Sequence, residues 1–212
     1  HGNLNVWNNA VGTVRLDNSS GSSTPHWRGI WSVDGKNVSI KSNSIDGVEI
    51  HQLNASGLPA SHVGIDVESV FSSLLLQYNS ISNVDMTTAG PGISFSGIFQ
   101  SGCNTTPSTR ISTNVIDHIV QSGGTAMTFS GIVSDAGASG STLNRIDGNR
   151  LDYFTSSGNG PHYGIFYNGK APVTAPMTIS KDTVRFWTLT GDDLLIVMES
   201  YSSSAITNFM QN

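Results

Sequence analysis

Ile111-Ser112-Thr113-Asn114-Val115-Ile116 is one copy of a pattern that decides the fold: an apolar residue, two others, Asn, one more, then an apolar residue. The pattern recurs around Asn43 (Ile40 to Ile45), Asn79 (Leu76 to Ile81) and Asn149 (Ile146 to Leu151). Ile179 to Val184 carries Asp182 in the Asn place, and Val6 to Val11, around Asn9, keeps the same phase. From Asn9 to Asn149 the steps are 34, 36, 35 and 35 residues. Three positions after each copy stands another large apolar residue: Val14, Val48, Val84, Ile119, Phe154 and Trp187. A second marker keeps this phase. Gly-Ile occurs at Gly29-Ile30, Gly64-Ile65, Gly97-Ile98, Gly131-Ile132 and Gly164-Ile165, at steps of 35, 33, 34 and 33. Two markers in one phase define a repeat, and a period of this size indicates a solenoid or array.

The repeat is rich in β-branched residues, Gly and Asn, which disfavours helical repeats, and it is too short for propeller blades. Its apolar residues come in short alternating bursts such as Met127-Thr128-Phe129 and Leu195-Ile196-Val197. Such bursts, bounded by polar turn residues, read as strands. One set of short strands per repeat gives an all-β, right-handed parallel β-helix of about six coils of about 35 residues, stacked about 4.8 Å apart. The Asn column (Asn9, Asn43, Asn79, Asn114, Asn149) is expected at the sharp bend between two strands. Asn tolerates the left-handed conformation there, and stacked side-chain amides form a hydrogen-bonded ladder.

The 212 residues read as a single domain, 1–212, with 188–212 as a terminal cap where the phase degrades. Charged residues are only 12% and the formal net charge is −5, which excludes a basic nucleic-acid binder. No apolar run is long enough for membrane insertion. The single cysteine, Cys103, excludes an internal disulfide. The start at His1-Gly2-Asn3 and the uncharged, hydroxyl- and amide-rich composition point to a piece of a longer exported protein, extracellular or at the cell surface.

The cadence resembles the right-handed parallel β-helix repeat superfamily, which includes pectate lyases, polygalacturonases, phage tailspikes and many bacterial surface proteins. N-x-I, a polar loop and then G-I is similar to the repeat arrays of large exported surface proteins of the Bacteroidota type. The resemblance covers nearly the whole chain and implies the fold. Function must come from sites on it.

Three clusters offer chemistry. Two residues before each Gly-Ile stand Trp27, His62, Phe95, Phe129 and His162; two after the Gly stand Trp31, Asp66, Phe99, Val133 and Phe166. With Ile inward, strand alternation places both sets on the outer face, as a trough for sugar rings. The opposite alternation makes the rings core. An acidic column follows N-x-I, and in it Asp117 and Asp152 are expected to be neighbours. Such a pair suits acid/base glycoside hydrolysis, or calcium if any ion is bound. The competing reading is plain surface charge at a turn. Asp192-Asp193 is the third cluster, but consecutive strand residues point to opposite faces. No G-H-G stretch accompanies the aspartates, and Arg110, Arg145, Arg150 and Lys181 form no recognisable lyase cluster. The histidines lack metal-ligand spacing, and phosphate-loop and nucleophile-elbow motifs are absent.

The expectation is therefore a non-enzymatic extracellular module, an adhesin or rod-like stalk segment that binds a polysaccharide or cell-surface glycan along an aromatic face. A polysaccharide lyase or glycoside hydrolase is the alternative. A structural filament or tailspike segment, assembling end to end or as a homo-oligomer, is the third reading.

Overall fold

The computed structural model describes residues 2–18, 26–52, 60–90, 92–102, 108–135, 144–169, 177–191, 194–200 and 207–210. These residues form twenty strands. The first coil holds β1 (Asn3–Trp7), β2 (Ala10–Asn18) and β3 (Trp27–Val33). The second holds β4 (Asn37–Lys41), β5 (Ser44–Gln52) and β6 (Ala60–Glu68). The third holds β7 (Ser73–Gln77), β8 (Ser80–Thr88) and β9 (Ile93–Ser101). Then come β10 (Ser108–Ser112), β11 (Val115–Gly123) and β12 (Thr128–Ser134), followed by β13 (Asn144–Asp147), β14 (Arg150–Ser156) and β15 (Pro161–Tyr167). The last full coil is β16 (Met177–Ser180), β17 (Thr183–Arg185), β18 (Thr188–Leu189) and β19 (Leu194–Ser200), and β20 (Thr207–Met210) opens another.

Every strand pairs in parallel with its counterpart one repeat away. The first sheet runs β1-β4-β7-β10-β13-β16-β20, the second β2-β5-β8-β11-β14-β17 with β18 beside β14, and the third β3-β6-β9-β12-β15-β19. This is a parallel β-helix, all-β, as the two markers imply. Its core is three apolar stripes meeting on the axis: Ile40, Leu76, Ile111, Ile146 and Ile179 from the first sheet, Ile45, Ile81, Ile116 and Leu151 from the second, Ile65, Ile98, Ile132 and Ile165 from the third. Each such burial contributes on the order of 1.5–3 kcal/mol.

The corner from first to second sheet is two residues in every coil, and the ladder lies there. Asn43 Nδ2 donates to Asn79 Oδ1 at 3.0 Å, Asn79 to Asn114 at 2.9 Å, and Asn114 to Asn149 at 3.0 Å. The backbone N–H of each also donates to the next Oδ1, and the second amide hydrogen goes to the carbonyl of Val6, Ile40, Leu76 or Ile111. Each interior amide uses two donors and two acceptor sites, so its burial leaves nothing unpaired. One expectation needs correction. The left-handed residue is not the Asn but the one before it: Asn8, Ser42, Tyr78, Thr113, Gly148 and Lys181, with φ between 53° and 66°. The ladder Asn itself is held by its hydrogen bonds.

Two further irregularities per coil set which side chains face out. In the second sheet, Thr13, Gly47, Asn83, His118, Tyr153 and Phe186 have φ between 49° and 68° and stand outside the paired register. Each is a one-residue outward bulge of the strand, matched one for one in the neighbouring coils with no extra residue on either side, after which the alternation resumes shifted by one. That is why Ile116 and Ile119, three apart, are both buried. In the third sheet the break falls at Gly-Ile. A methyl group added to Gly97 would lie 2.6 Å from the Ile116 Cδ1 and 2.7 Å from the carbonyl oxygen of Gly131, so its vacant side faces the core. Ile98 follows and is also buried. Two consecutive inward residues turn the corner, and at Gly97 the first place leaves no room for a Cβ, whereas Val197 at the same place in β19 is exposed.

Candidate binding surface

That Gly-Ile break overturns the trough expected on the third sheet. Ile is inward, yet the residues two before the Gly are inward too. His62, Phe95, Phe129 and His162 are wholly buried, and Trp27 packs half-buried against the core. Phe95, Phe129 and Phe154 stack at centroid separations of 6.2 and 4.3 Å, and Trp187 closes the stack edge-on. His62 is kept neutral, its pKa pushed down to about 4 by burial and by the charge of His26. His162 accepts the Phe129 backbone N–H at Nδ1, 3.2 Å away. These five residues belong to the core, because strand alternation does not run unbroken through the glycine.

Of the residues two after the Gly, Asp66 and Val133 are buried and the three aromatic ones are not. Trp31 is exposed, and Phe99 and Phe166 are half-buried. In the register, however, Asp66 separates Trp31 from Phe99, and Val133 separates Phe99 from Phe166. The three rings are two coils apart, about 9–10 Å, and form no continuous platform. In the first two coils Arg28 pairs with buried Asp66, lies 4.9 Å over the Trp31 ring and reaches Glu68 at 3.8 Å, and Trp31 Nε1 donates to Glu68 at 3.3 Å. Burial raises the Asp66 carboxyl above its ordinary range, against the lowering effect of Arg28.

Asp117 and Asp152 are register partners, as expected. Their surroundings do not suit an acid/base pair. Asp152 is 2% exposed and bound by Arg185 at 2.8 and 3.0 Å and by Arg150 at 3.1 Å, so both oxygens are occupied by guanidinium groups. Asp117 lies 2.9 Å from His118 Nδ1. Among the described residues no three His, Cys, Asp or Glu side chains are grouped to hold a metal ion. Asp192-Asp193 and Cys103 lie outside the described residues.

Beside Asp117 and Asp152 stands the feature that sequence reasoning missed. The bulge column ends in His118, Tyr153 and Phe186, whose rings stack in sequence at 4.8 and 4.8 Å with interplanar angles of 22° and 18°. Tyr153 is 46% exposed and Phe186 56%. The Arg185 guanidinium lies 5.1 Å from the Phe186 ring. Faces turned to each other leave the ring edges toward solvent, as an apolar ridge along the rod axis. Earlier places in the column hold Thr13, Gly47 and Asn83. The signal stands in the sequence, two residues after each N-x-I, but it changes residue type down the column and matches no single-letter motif.

Comparison of the chain with protein-family models, with curated proteins and with solved structures yields no match.

Proposed function

We propose that this protein is a non-enzymatic extracellular surface module, an adhesin or stalk segment, that binds a glycan along the His118–Tyr153–Phe186 ridge. One observation carries this reading. Left-handed backbone favours Gly and Asn and is strained for bulky residues, at a cost of about 1 kcal/mol or more each. The fold accepts Gly47 and Asn83 at this place, yet the C-terminal coils put exposed Tyr and Phe there. Strained, solvent-facing aromatics serve contact with a partner better than they serve the core. A ridge of rings stacked from coil to coil fits an extended polymer, and the low-charge, hydroxyl- and amide-rich composition fits a hydrated sugar chain.

The test is a broad glycan array with the intact protein and with Tyr153→Asn and Phe186→Asn. Asn is a residue this column already uses, so both variants should fold with an unchanged melting transition. Binding lost in both supports the proposal. A blank array, or binding indifferent to both, removes it and leaves the structural segment. A bound glycan that is also cleaved would favour the enzyme reading, with Asp66 and Glu68 the carboxylates to substitute next.

A further inference from the structure

Resting on that reading, we infer that the ligand of the ridge is an anionic glycan, its sulfate or carboxylate groups held by an arginine cluster around the same corner. Arg110 and Arg145 are register neighbours on the first sheet, and Arg150 and Arg185 stand on the second. Arg110 and Arg145 share Asp147, at 3.7 and 3.4 Å; Arg150 and Arg185 share Asp152, at 3.1 and 2.8 Å. Each carboxylate thus serves two guanidiniums. The acids are recessed, at 16% and 2% side-chain exposure, while the arginines are 39–48% exposed.

With exposed Lys181 the corner carries five cations against Asp117, Asp147, Asp152 and the buried Asp182, a surplus of at least one positive charge on a chain of net charge −5. Half of the chain's ten Lys and Arg are gathered here. A guanidinium bound to one carboxylate keeps further N–H groups for a second oxyanion, and its planar fork matches sulfate and carboxylate alike. The ring edges act in the same direction, because an aromatic quadrupole is positive at its rim and attracts oxygen-bearing groups there. A neutral polymer would use only the ridge. A polymer with a negative group on alternate sugars would use both the ridge and the arginines.

The experiment titrates the intact protein with two matched pairs: dextran sulfate against dextran, and alginate against carboxyl-reduced alginate. We expect the charged member of at least one pair to bind about tenfold or more tighter than its neutral counterpart, with affinity falling as salt rises. Which pair shows the difference tells sulfate from carboxylate. Arg145→Gln should weaken only the charged polymer, Arg145→Lys should recover part of the loss, and Tyr153→Asn should weaken every polymer that binds. If charged and neutral members bind equally and Tyr153→Asn abolishes both, the ridge stands and the inference falls. If the charged polymers bind but Tyr153→Asn changes nothing, the cluster is a general polyanion patch, and both inference and ridge fall. No binding to any of the four overturns the inference.

Discussion

Asp182 is the sixth rung of the ladder and its one carboxyl group. It accepts the backbone N–H and the Nδ2 hydrogen of Asn149, both at 2.8 Å, as an asparagine would. It has no amide hydrogen to donate in return, as Asn149 donates to Ile111. Protonation supplies one. Burial pushes the Asp182 pKa up to about 7 from the ordinary 3.8, against the lowering effect of the Asn149 donors. A carboxyl whose folded pKa is raised holds more protons folded than unfolded between those values, so its contribution is full below about pH 4 and is lost as pH rises through 7. The difference is on the order of 4 kcal/mol. His62 works in the opposite sense. Its folded pKa of about 4 lies below the ordinary 6.5, so its contribution is full above 6.5 and is lost as pH falls toward 4. Asp182→Asn should therefore flatten the high-pH side of the stability profile and leave the low-pH side intact. Urea unfolding at pH 5 and pH 8 checks this; a variant that still loses stability between those values would show that another group titrates there.

At the scale of the strand, crowding and backbone angle separate cleanly between two glycines. Gly97 has an ordinary φ but no room, with a backbone carbonyl 2.7 Å from where a Cβ would stand. Gly148 has room on every side but a φ of 66°. Gly97→Ala should cost about 3 kcal/mol or abolish folding, and Gly148→Ala about 1 kcal/mol, read as shifts in the denaturant midpoint. Equal costs would mean the third-sheet corner relaxes. These same corners mark how far the sequence could be read. The period, the ladder and the stripes containing Ile45, Val48 and Ile65 were legible because each repeats one residue class at one spacing; the stripe of Val48, for instance, continues as Val84 and Ile119. The facing of Phe95 and Phe129 was not, since a period-2 argument fails wherever a bulge or a two-inward corner intervenes, and each of the first five coils has both. The ridge was hidden for the same reason. Tyr153 and His118 stand opposite each other between the paired positions Asp117↔Asp152 and Ile119↔Phe154, but at a left-handed residue that breaks the alternation, so a period-2 reading gives no hint that they face outward and stack.

For the whole molecule, stability is a sum over neighbouring coils. The middle coils are covered on both sides, whereas Leu4, Val6, Val11, Val14 and Leu16 in the first coil are only partly buried. Amide exchange should accordingly be slowest in β7, β8, β10 and β11 and fastest in β1 and β2, with protection graded along the axis rather than uniform. Equal protection throughout would indicate that something covers the first coil in solution. The two-residue corner adds a different consequence. Because each rung grips the next by the same pair of bonds, the ladder behaves as a ruler whose smallest division is a whole turn. Chain length between rungs is free to vary, as the steps of 34, 36, 35 and 35 show, but a rung cannot be half-added. Duplicating one coil would lengthen the rod by one strand spacing and keep every register intact, whereas moving a rung by one residue would turn its neighbours inside out. Genes that encode such a rod are thus free to edit it in whole turns and constrained within each.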